Sequence, residues 1–167
     1  MLNKIVSRLI VGVLFLSSYS QSSDNLSLVG SLEYPDAEGN DIWGYVDNNG
    51  REYALVGLKN GFSVVDLSNP AEPSEVFFIA GPSSIWRDIK VWDHYAFVTA
   101  DQGSAGLLIV DLNDLSGNTF LYTEYDSNDS LICQRAHNIY IDENGKAYLF
   151  GGNIGGNETP NAGALIL

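Results

Sequence analysis

Cysteine is almost absent from this sequence, since Cys133 is the only one. A lone cysteine excludes a disulfide within the chain and a zinc site made of several thiolates, so packing has to supply the stability. We expect Cys133 to be a buried small hydrophobic side chain. The sharper alternatives are a reactive thiol and a disulfide to another molecule.

Positive charge is also scarce, because 8 lysines and arginines stand against 21 aspartates and glutamates, for a net charge of −13. So acidic a surface repels nucleic-acid backbones and anionic lipid. We therefore expect no nucleic-acid partner and no membrane binding or insertion of the mature chain. The acidity suits an exported soluble protein, and it also suits the binding of a cation.

Long apolar runs are lacking after the first twenty residues. There, Lys4 and Arg8 precede the apolar stretch Leu9–Leu16, and Ser18–Ser20 offers small residues to a signal peptidase. This order predicts a signal peptide at 1–20, with cleavage near Ser20, and a mature chain at 21–167 with a net charge of about −15. A membrane anchor is the alternative, but the run is short for a hydrocarbon layer of about 30 Å.

Catalytic and cofactor motifs are missing as well. No Gly-x-Ser-x-Gly elbow accompanies His94 and His137, the two histidines, so a serine hydrolase is unsupported. The acidic turns Asp47–Gly50 and Asp142–Gly145 lack the spacing and the terminal glutamate of an EF-hand loop. Gly151–Gly156 has neither the lysine nor the following helix of a phosphate-binding loop.

What the chain does contain is a repeat. Gly61–Leu67 reads Gly-Phe-Ser-Val-Val-Asp-Leu, Gly106–Leu112 reads Gly-Leu-Leu-Ile-Val-Asp-Leu, and Gly163–Leu167 begins a third copy. A glycine, a β-favouring apolar run and an aspartate predict a buried strand that runs into a turn. We expect Asp66 and Asp111 to accept hydrogen bonds from turn amides. Metal ligation and catalysis are their alternative roles.

The repeat also sets the fold class. Asp41, Asp88 and Asn138 mark the same position in successive repeats, 47 and 50 residues apart. The predicted strands are 41–46, 52–58, 62–67 and 75–80; 88–92, 95–99, 107–112 and 120–125; and 137–141, 147–151 and 164–167. Four short antiparallel strands in about 40–50 residues form a β-propeller blade. We therefore predict an all-β propeller with about three blades, an incomplete ring.

The segment Leu26–Tyr34 alternates loosely and is predicted to be an outer strand. Paired with the last blade, it would close the ring. Because propellers typically have four to eight blades, we expect a fragment of a longer protein, the alternative being a half-ring that dimerises. Either form exposes apolar strand at an edge, which favours self-association.

The repeat units resemble the LVIVD repeat. The mature sequence as a whole is similar to the choice-of-anchor B family of exported bacterial proteins, most clearly at Arg135–Asp142, which reads Arg-Ala-His-Asn-Ile-Tyr-Ile-Asp. The resemblance implies a propeller, a secreted or cell-surface location and a variable C-terminal anchor. It brings no catalytic residues to carry over.

Five polar residues precede or begin the innermost predicted strand of each blade, next to the central channel: Asp41, Arg87, Asp88, His137 and Asn138. We expect them near one mouth of the channel. There, Asp41, Asp88 and the carbonyl of Asn138 could bind a cation such as Ca²⁺, which prefers oxygen ligands. The alternative is local pairing, with Arg87 bound to the acids, and His137 and Asn138 bonded to nearby backbone.

These residues predict an exported, non-catalytic repeat protein that presents a binding surface for a protein or a glycan. The alternative is a hydrolase or lyase at the channel mouth, assisted by a cation. Convergence of Asp41, Asp88 and His137 would favour the enzyme, and local pairing would favour the binding protein. We expect Trp43, Trp86 and Trp92 in the core or between blades rather than as sugar platforms.

Overall fold

A computed structural model describes residues 26–104, 106–113, 115–117, 119–122, 133–152 and 163–167. The predicted signal peptide lies outside this range. Eleven β-strands and no helix occur in the described residues. They are β1 Gly39–Val46, β2 Glu52–Leu58, β3 Gly61–Asp66, β4 Ser74–Ala80, β5 Ile89–Trp92, β6 Tyr95–Val98, β7 Leu107–Asp111, β8 Thr119–Tyr122, β9 Asn138–Ile141, β10 Ala147–Phe150 and β11 Ala164–Ile166.

The strands form three separate antiparallel sheets in sequence order. The first sheet is β1-β2-β3-β4, the second is β5-β6-β7-β8, and the third is β9-β10-β11. The three copies of the repeated segment, which form β3, β7 and β11, therefore lie in three different sheets, as a row of blades requires. The predicted all-β architecture is confirmed at this level.

Two apolar layers hold the sheets together. Between the first and second sheets lie Phe62, Val64, Ile89 and Val98, each no more than 1% exposed. Between the second and third sheets, Leu107, Ile139 and Leu149 pack around Cys133. Cys133 is 2% exposed, and burial raises the pKa of its thiol, so the prediction of a buried small hydrophobic residue is confirmed.

The first strand of each sheet lies beside the first strand of the next sheet, β1 next to β5 and β5 next to β9. Strand β3 is central in its sheet and buried along Gly61–Val65, because both of its faces are covered. This double burial explains why its sequence, apart from the hydrogen-bonded Ser63, is apolar at successive positions rather than alternating.

The prediction of a strand at Leu26–Tyr34 is wrong. The segment contains no strand and is largely exposed, and it approaches the first sheet at Tyr34 and Gly30. The Tyr34 hydroxyl donates to Ser63 Oγ at 2.9 Å, and Ser63 Oγ donates to Glu75 at 2.7 Å. A side chain at Gly30 would lie 2.2 Å from the carbonyl oxygen of Pro70, so the backbone runs close over the β3–β4 turn. Tyr34 lies over a face of the first sheet. Pairing as a strand would require the backbone to lie along a free edge of a sheet instead.

Within the described part of the chain, one face of the third sheet is left uncovered. Strand register places Tyr140, Tyr148 and Ile166 side by side on that face, with Phe150 beside them. Tyr140 is 56% exposed and Ile166 is 60% exposed. The described sheets form a propeller-like stack, and closure into a ring is not shown. Within the described residues, no helix is long and apolar enough to cross a membrane.

Candidate functional site

The repeated aspartates bond to the neighbouring sheet. Asp41 lies in β1, and its Oδ2 accepts a hydrogen bond from the backbone N–H of Ile89 at 2.7 Å. Burial raises the pKa of Asp41, and this hydrogen bond acts in the opposite direction. The carboxylate therefore fixes the start of β5 against β1.

Asp88 repeats this contact one sheet further on. Its Oδ2 accepts from the backbone N–H of Ile139 at 2.8 Å and lies 3.4 Å from the side-chain nitrogen of Asn138. Its own backbone N–H donates to Thr99 Oγ1 at 3.0 Å. Asp41, Asp88 and Asn138 thus form a row across the three sheets, and their first role is to join inner strands.

Lys90 occupies the space between these acids. Its ammonium pairs with Asp88 Oδ1, donates to the carbonyl of Ile89 at 3.0 Å, and lies 4.5 Å from the centre of the Trp43 ring. A Ca²⁺ ion would compete with this ammonium for the same oxygens. Within the described residues, no group of three or more histidine, cysteine, aspartate or glutamate side chains is placed to hold a metal.

Arg87 is buried at 7% exposure and serves the backbone. Its Nε donates to the carbonyl of Leu58 at 2.7 Å and its Nη2 to the carbonyl of Pro82 at 2.6 Å. Burial lowers the pKa of the guanidinium, and the charge of Asp101 opposes that shift. These bonds tie the first sheet to the loop that leads into the second, and they are not the pairing with Asp41 or Asp88 that we considered.

The side chain of His137 pairs with Asp101 and not with the row of aspartates. Its Nδ1 is 3.3 Å from Asp101 Oδ2, and Asp101 Oδ1 accepts from the hydroxyl of Ser84 at 2.7 Å. The side chain of Asp101 is 13% exposed, whereas that of His137 is 47% exposed. The Trp86 ring meets the imidazole edge to face, with ring centres 5.6 Å apart. A shielded carboxylate thus orients an imidazole at the surface.

An open groove of about 430 Å³ borders this histidine. Its lining consists of Asp101, Gln102, Arg135, His137 and Gly151. Gln102 is fixed through its Oε1, which accepts from the backbone N–H of Ile85 at 3.0 Å. The groove lies where the loop after β6 meets the segment before β9, so both the second and third sheets contribute to it.

Sequence reasoning found His137 in this groove but missed Ser84, Asp101 and Gln102. One signal was available. The connection from β2 to β3 is Lys59-Asn60, whereas that from β6 to β7 runs from Thr99 to Gly106. A connection lengthened in one repeat is a common place for function.

The prediction for the strand-ending aspartates is confirmed. Asp66 Oδ1 accepts from the backbone N–H of Ser68 at 2.6 Å, and Asp111 Oδ1 accepts from that of Asn113 at 2.9 Å. Hydrogen bonds from the side chain and from the backbone N–H of Ser68 lower the pKa of Asp66. Both residues close the turns that follow the repeated strands.

The three tryptophans all contact the next sheet but are not buried. Trp43 lies under Lys90, Trp86 meets His137, and Trp92 packs against Gly145. They are 41%, 53% and 42% exposed, respectively. The expectation that they lie in the core or between blades is confirmed in its second form, since each ring contacts the next sheet. Each ring is therefore partly exposed and lies where one sheet contacts the next.

Comparison with known families agrees with this architecture. Residues 51–80 and 85–125 match the LVIVD repeat. The first matched segment contains β2–β4 of the first sheet but not β1, and the second contains all four strands of the second sheet, β5–β8. No significant match to the chain is found among curated proteins or among solved structures. The groove beside His137 lies partly beyond the second LVIVD repeat, in the third sheet.

Proposed function

We propose that this chain is an exported, non-catalytic LVIVD-repeat protein of the choice-of-anchor B type that presents a binding surface for a protein or glycan at the cell surface. One observation carries the proposal. Asp41 and Asp88, the acids that could have formed a cation site at the channel mouth, accept backbone hydrogen bonds at 2.7 and 2.8 Å. These bonds join neighbouring sheets. We therefore place the binding site elsewhere, at the exposed surface beside Trp86 and His137.

The surface beside His137 carries side chains that are suited to binding a ligand. Trp86 is 53% exposed and stands next to the groove lined by Gln102, Arg135 and His137. An exposed aromatic ring beside convergent polar groups is a common arrangement in ligand sites. The residues come from loops of the second and third sheets, and the apolar layer packed between these sheets holds the loops next to each other.

The test is an array of cell-surface glycans and extracellular proteins, probed with the purified chain and two variants. Trp86→Ala removes the ring beside the groove. Trp92→Ala removes a ring of similar exposure at the opposite end of β5 and serves as the matched control. Ligands lost with Trp86→Ala and kept with Trp92→Ala support the proposal. A set of ligands that Trp86→Ala leaves unchanged contradicts it.

A second candidate is a hydrolase or lyase with its site in the groove beside His137. The pair Asp101–His137 favours it, because a shielded carboxylate that orients an exposed imidazole is suited to general acid–base catalysis. Product release from an array ligand would support it, provided that His137→Gln abolishes release. His94→Gln is the control, since His94 lies 2.9 Å from the exposed Asp93 and outside the groove lining.

A further inference from the structure

The contact between neighbouring sheets is built from equivalent residues in each repeat. In every sheet, an isoleucine of the first strand lies opposite an apolar residue of the second strand, and these pairs are Ile42–Val56, Ile89–Val98 and Ile139–Leu149. Ile89 packs in the layer against the first sheet, and Ile139 packs in the layer against the second. They are 0% and 2% exposed, whereas Ile42 is 66% exposed. The first sheet therefore leaves open the face by which the other two sheets pack on their neighbours.

The open face of the third sheet has covered counterparts too. Strand register makes Ile166 the counterpart of Val64 and Ile109, because each lies opposite the residue that precedes the apolar partner in the second strand. Val64 is 0% exposed in the layer between the first and second sheets, and Ile109 packs on the layer between the second and third. Ile166 is 60% exposed. The third sheet thus leaves open the face by which the first two sheets receive the next one.

These two open faces are the two halves of one contact that the chain already forms twice. Propellers have about four to eight sheets, so the three described sheets are too few for the two faces to meet within one copy. Two copies of three sheets give six, which lies within that range, and three copies give nine, which exceeds it. The occupant that fits both faces is a second copy of the chain.

The segment Leu26–Tyr34 leaves the inner strands of the first sheet open. Tyr34 bonds to Ser63 on β3, and Gly30 runs close over the β3–β4 turn, so this segment lies over the outer part of the face. Ser63 is accordingly 0% exposed, while Ile42 and Val46 on β1 are 66% and 59% exposed. The third sheet contributes three strands in the described residues, one fewer than each of the others, and therefore fits over β1 and β2 beside the segment.

We propose that the open face of the third sheet packs on the open face of the first sheet of a second copy, and that two such contacts close a head-to-tail dimer. Ile166 of one copy shares an apolar layer with Ile42 of the other, as Val64 does with Ile89. Burial of apolar surface that one copy exposes supplies the free energy of association. The inference goes beyond the proposed function and uses no residue of the groove beside His137.

Sedimentation velocity of the purified chain at micromolar concentrations tests the inference, and we expect a dimer. Ile42→Lys and Ile166→Glu each put one charge into both apolar contacts, so each should weaken association at least about 100-fold. Both side chains are at least 60% exposed, so the variants should keep the wild-type circular-dichroism spectrum. An equimolar mixture of the two variants should dimerise again, because one contact then has two unaltered faces and the other pairs lysine with glutamate.

Ile85→Lys is the matched control, since Ile85 is 42% exposed in the loop between the first and second sheets and should not affect the dimer. A wild-type chain that stays monomeric overturns the inference. Dissociation by only one of the two face variants would indicate a contact between like faces, and dissociation by Ile85→Lys would place the contact elsewhere. Species heavier than the dimer would show an open row of copies instead of a closed pair. None of these results changes the array ligands that depend on Trp86, so the proposed function is tested separately.

Discussion

The carboxylate of Asp41 and the backbone N–H of Ile89 form a 2.7 Å hydrogen bond that spans two sheets and 48 residues of chain. Asp88 and Ile139 repeat it at 2.8 Å across the next pair of sheets. A repeated polar contact at the inner edge, added to an apolar layer between the sheets, fixes how one sheet lies on the next. Apolar layers alone would tolerate sliding, since the hydrophobic effect is non-directional.

Removal of the Asp88 carboxylate should therefore destabilise the stack. We expect Asp88→Ala to lower the free energy of unfolding by about 1–3 kcal/mol, because the N–H of Ile139 loses its acceptor and Lys90 loses its ion pair. Urea denaturation measures the change. Asp88→Asn keeps an acceptor oxygen and matches the asparagine found at position 138, so it should lose clearly less. Equal losses for the two variants would show that the charge, rather than the acceptor, matters.

Two equivalent glycines give a matched test of packing between sheets. Gly50 and Gly145 both end acidic turns with φ near +80°, but only at Gly145 would an added Cβ lie 2.6 Å from the ring of Trp92. Gly50→Ala should cost about 1–2 kcal/mol for the left-handed backbone alone. Gly145→Ala should cost about 1 kcal/mol more, because the Trp92 ring must move. Thermal or urea unfolding of both variants decides, and equal costs would mean that Trp92 yields freely.

The acidic turns make stability depend on pH. Backbone N–H groups donate to Asp47 and Asp142, and these bonds hold the pKa of both carboxyls below the ordinary value of 3.8. A carboxyl with a lowered pKa in the folded state stabilises the fold above pH 3.8, and the contribution is lost as the pH falls through the lowered pKa. Asp142→Asn should flatten the decline of unfolding free energy below about pH 4.

Glu143→Gln is the control for this pH effect, since it removes the same charge one residue away. Asp41 acts in the opposite sense, because burial raises its pKa and the folded state binds its proton more readily. Its contribution is lost as the pH rises through the raised pKa. A wild-type stability that does not decline in acid would contradict the role given to the turn aspartates.

Cys133 should react slowly in the folded protein. It is 2% exposed, and burial raises the pKa of its thiol, so little thiolate is present at neutral pH. We expect labelling by a disulfide reagent at pH 7.5 to be at least about 100-fold slower in buffer than in 6 M guanidinium chloride. Labelling at similar rates in both conditions would restore the reactive-thiol alternative.

Export can be tested by mass spectrometry of the protein recovered outside the cytoplasm. We expect a mature chain that begins at Gln21, because Ser18 and Ser20 supply the small residues before the cut. Replacement of Ser18 and Ser20 by bulky residues should leave the precursor uncleaved. Recovery of the intact chain in the membrane fraction would instead support the alternative, a membrane anchor at residues 1–20.

The sequence by itself determined the strands and their grouping. The spacing of Asp41, Asp88 and Asn138 gave the sheet boundaries, and β2 has the predicted bounds, Glu52–Leu58. It also determined the turn role of Asp66 and Asp111, because an Asx turn needs only residues that are neighbours in the chain. Local patterns are reliable where the interactions that satisfy the backbone are themselves local.

The tertiary structure alone decided which distant groups meet. Asp101 and His137 lie 36 residues apart, and only the packing of the second sheet against the third brings them to 3.3 Å. The sequence offered Asp41 and Asp88 as possible cation ligands. The packing of the sheets directs their carboxylates to backbone N–H groups of the next sheet. It also placed Tyr34 over Ser63 and thereby removed a predicted strand. A side chain's partner depends on how faces stack in three dimensions, and a one-dimensional pattern holds no measure of that distance.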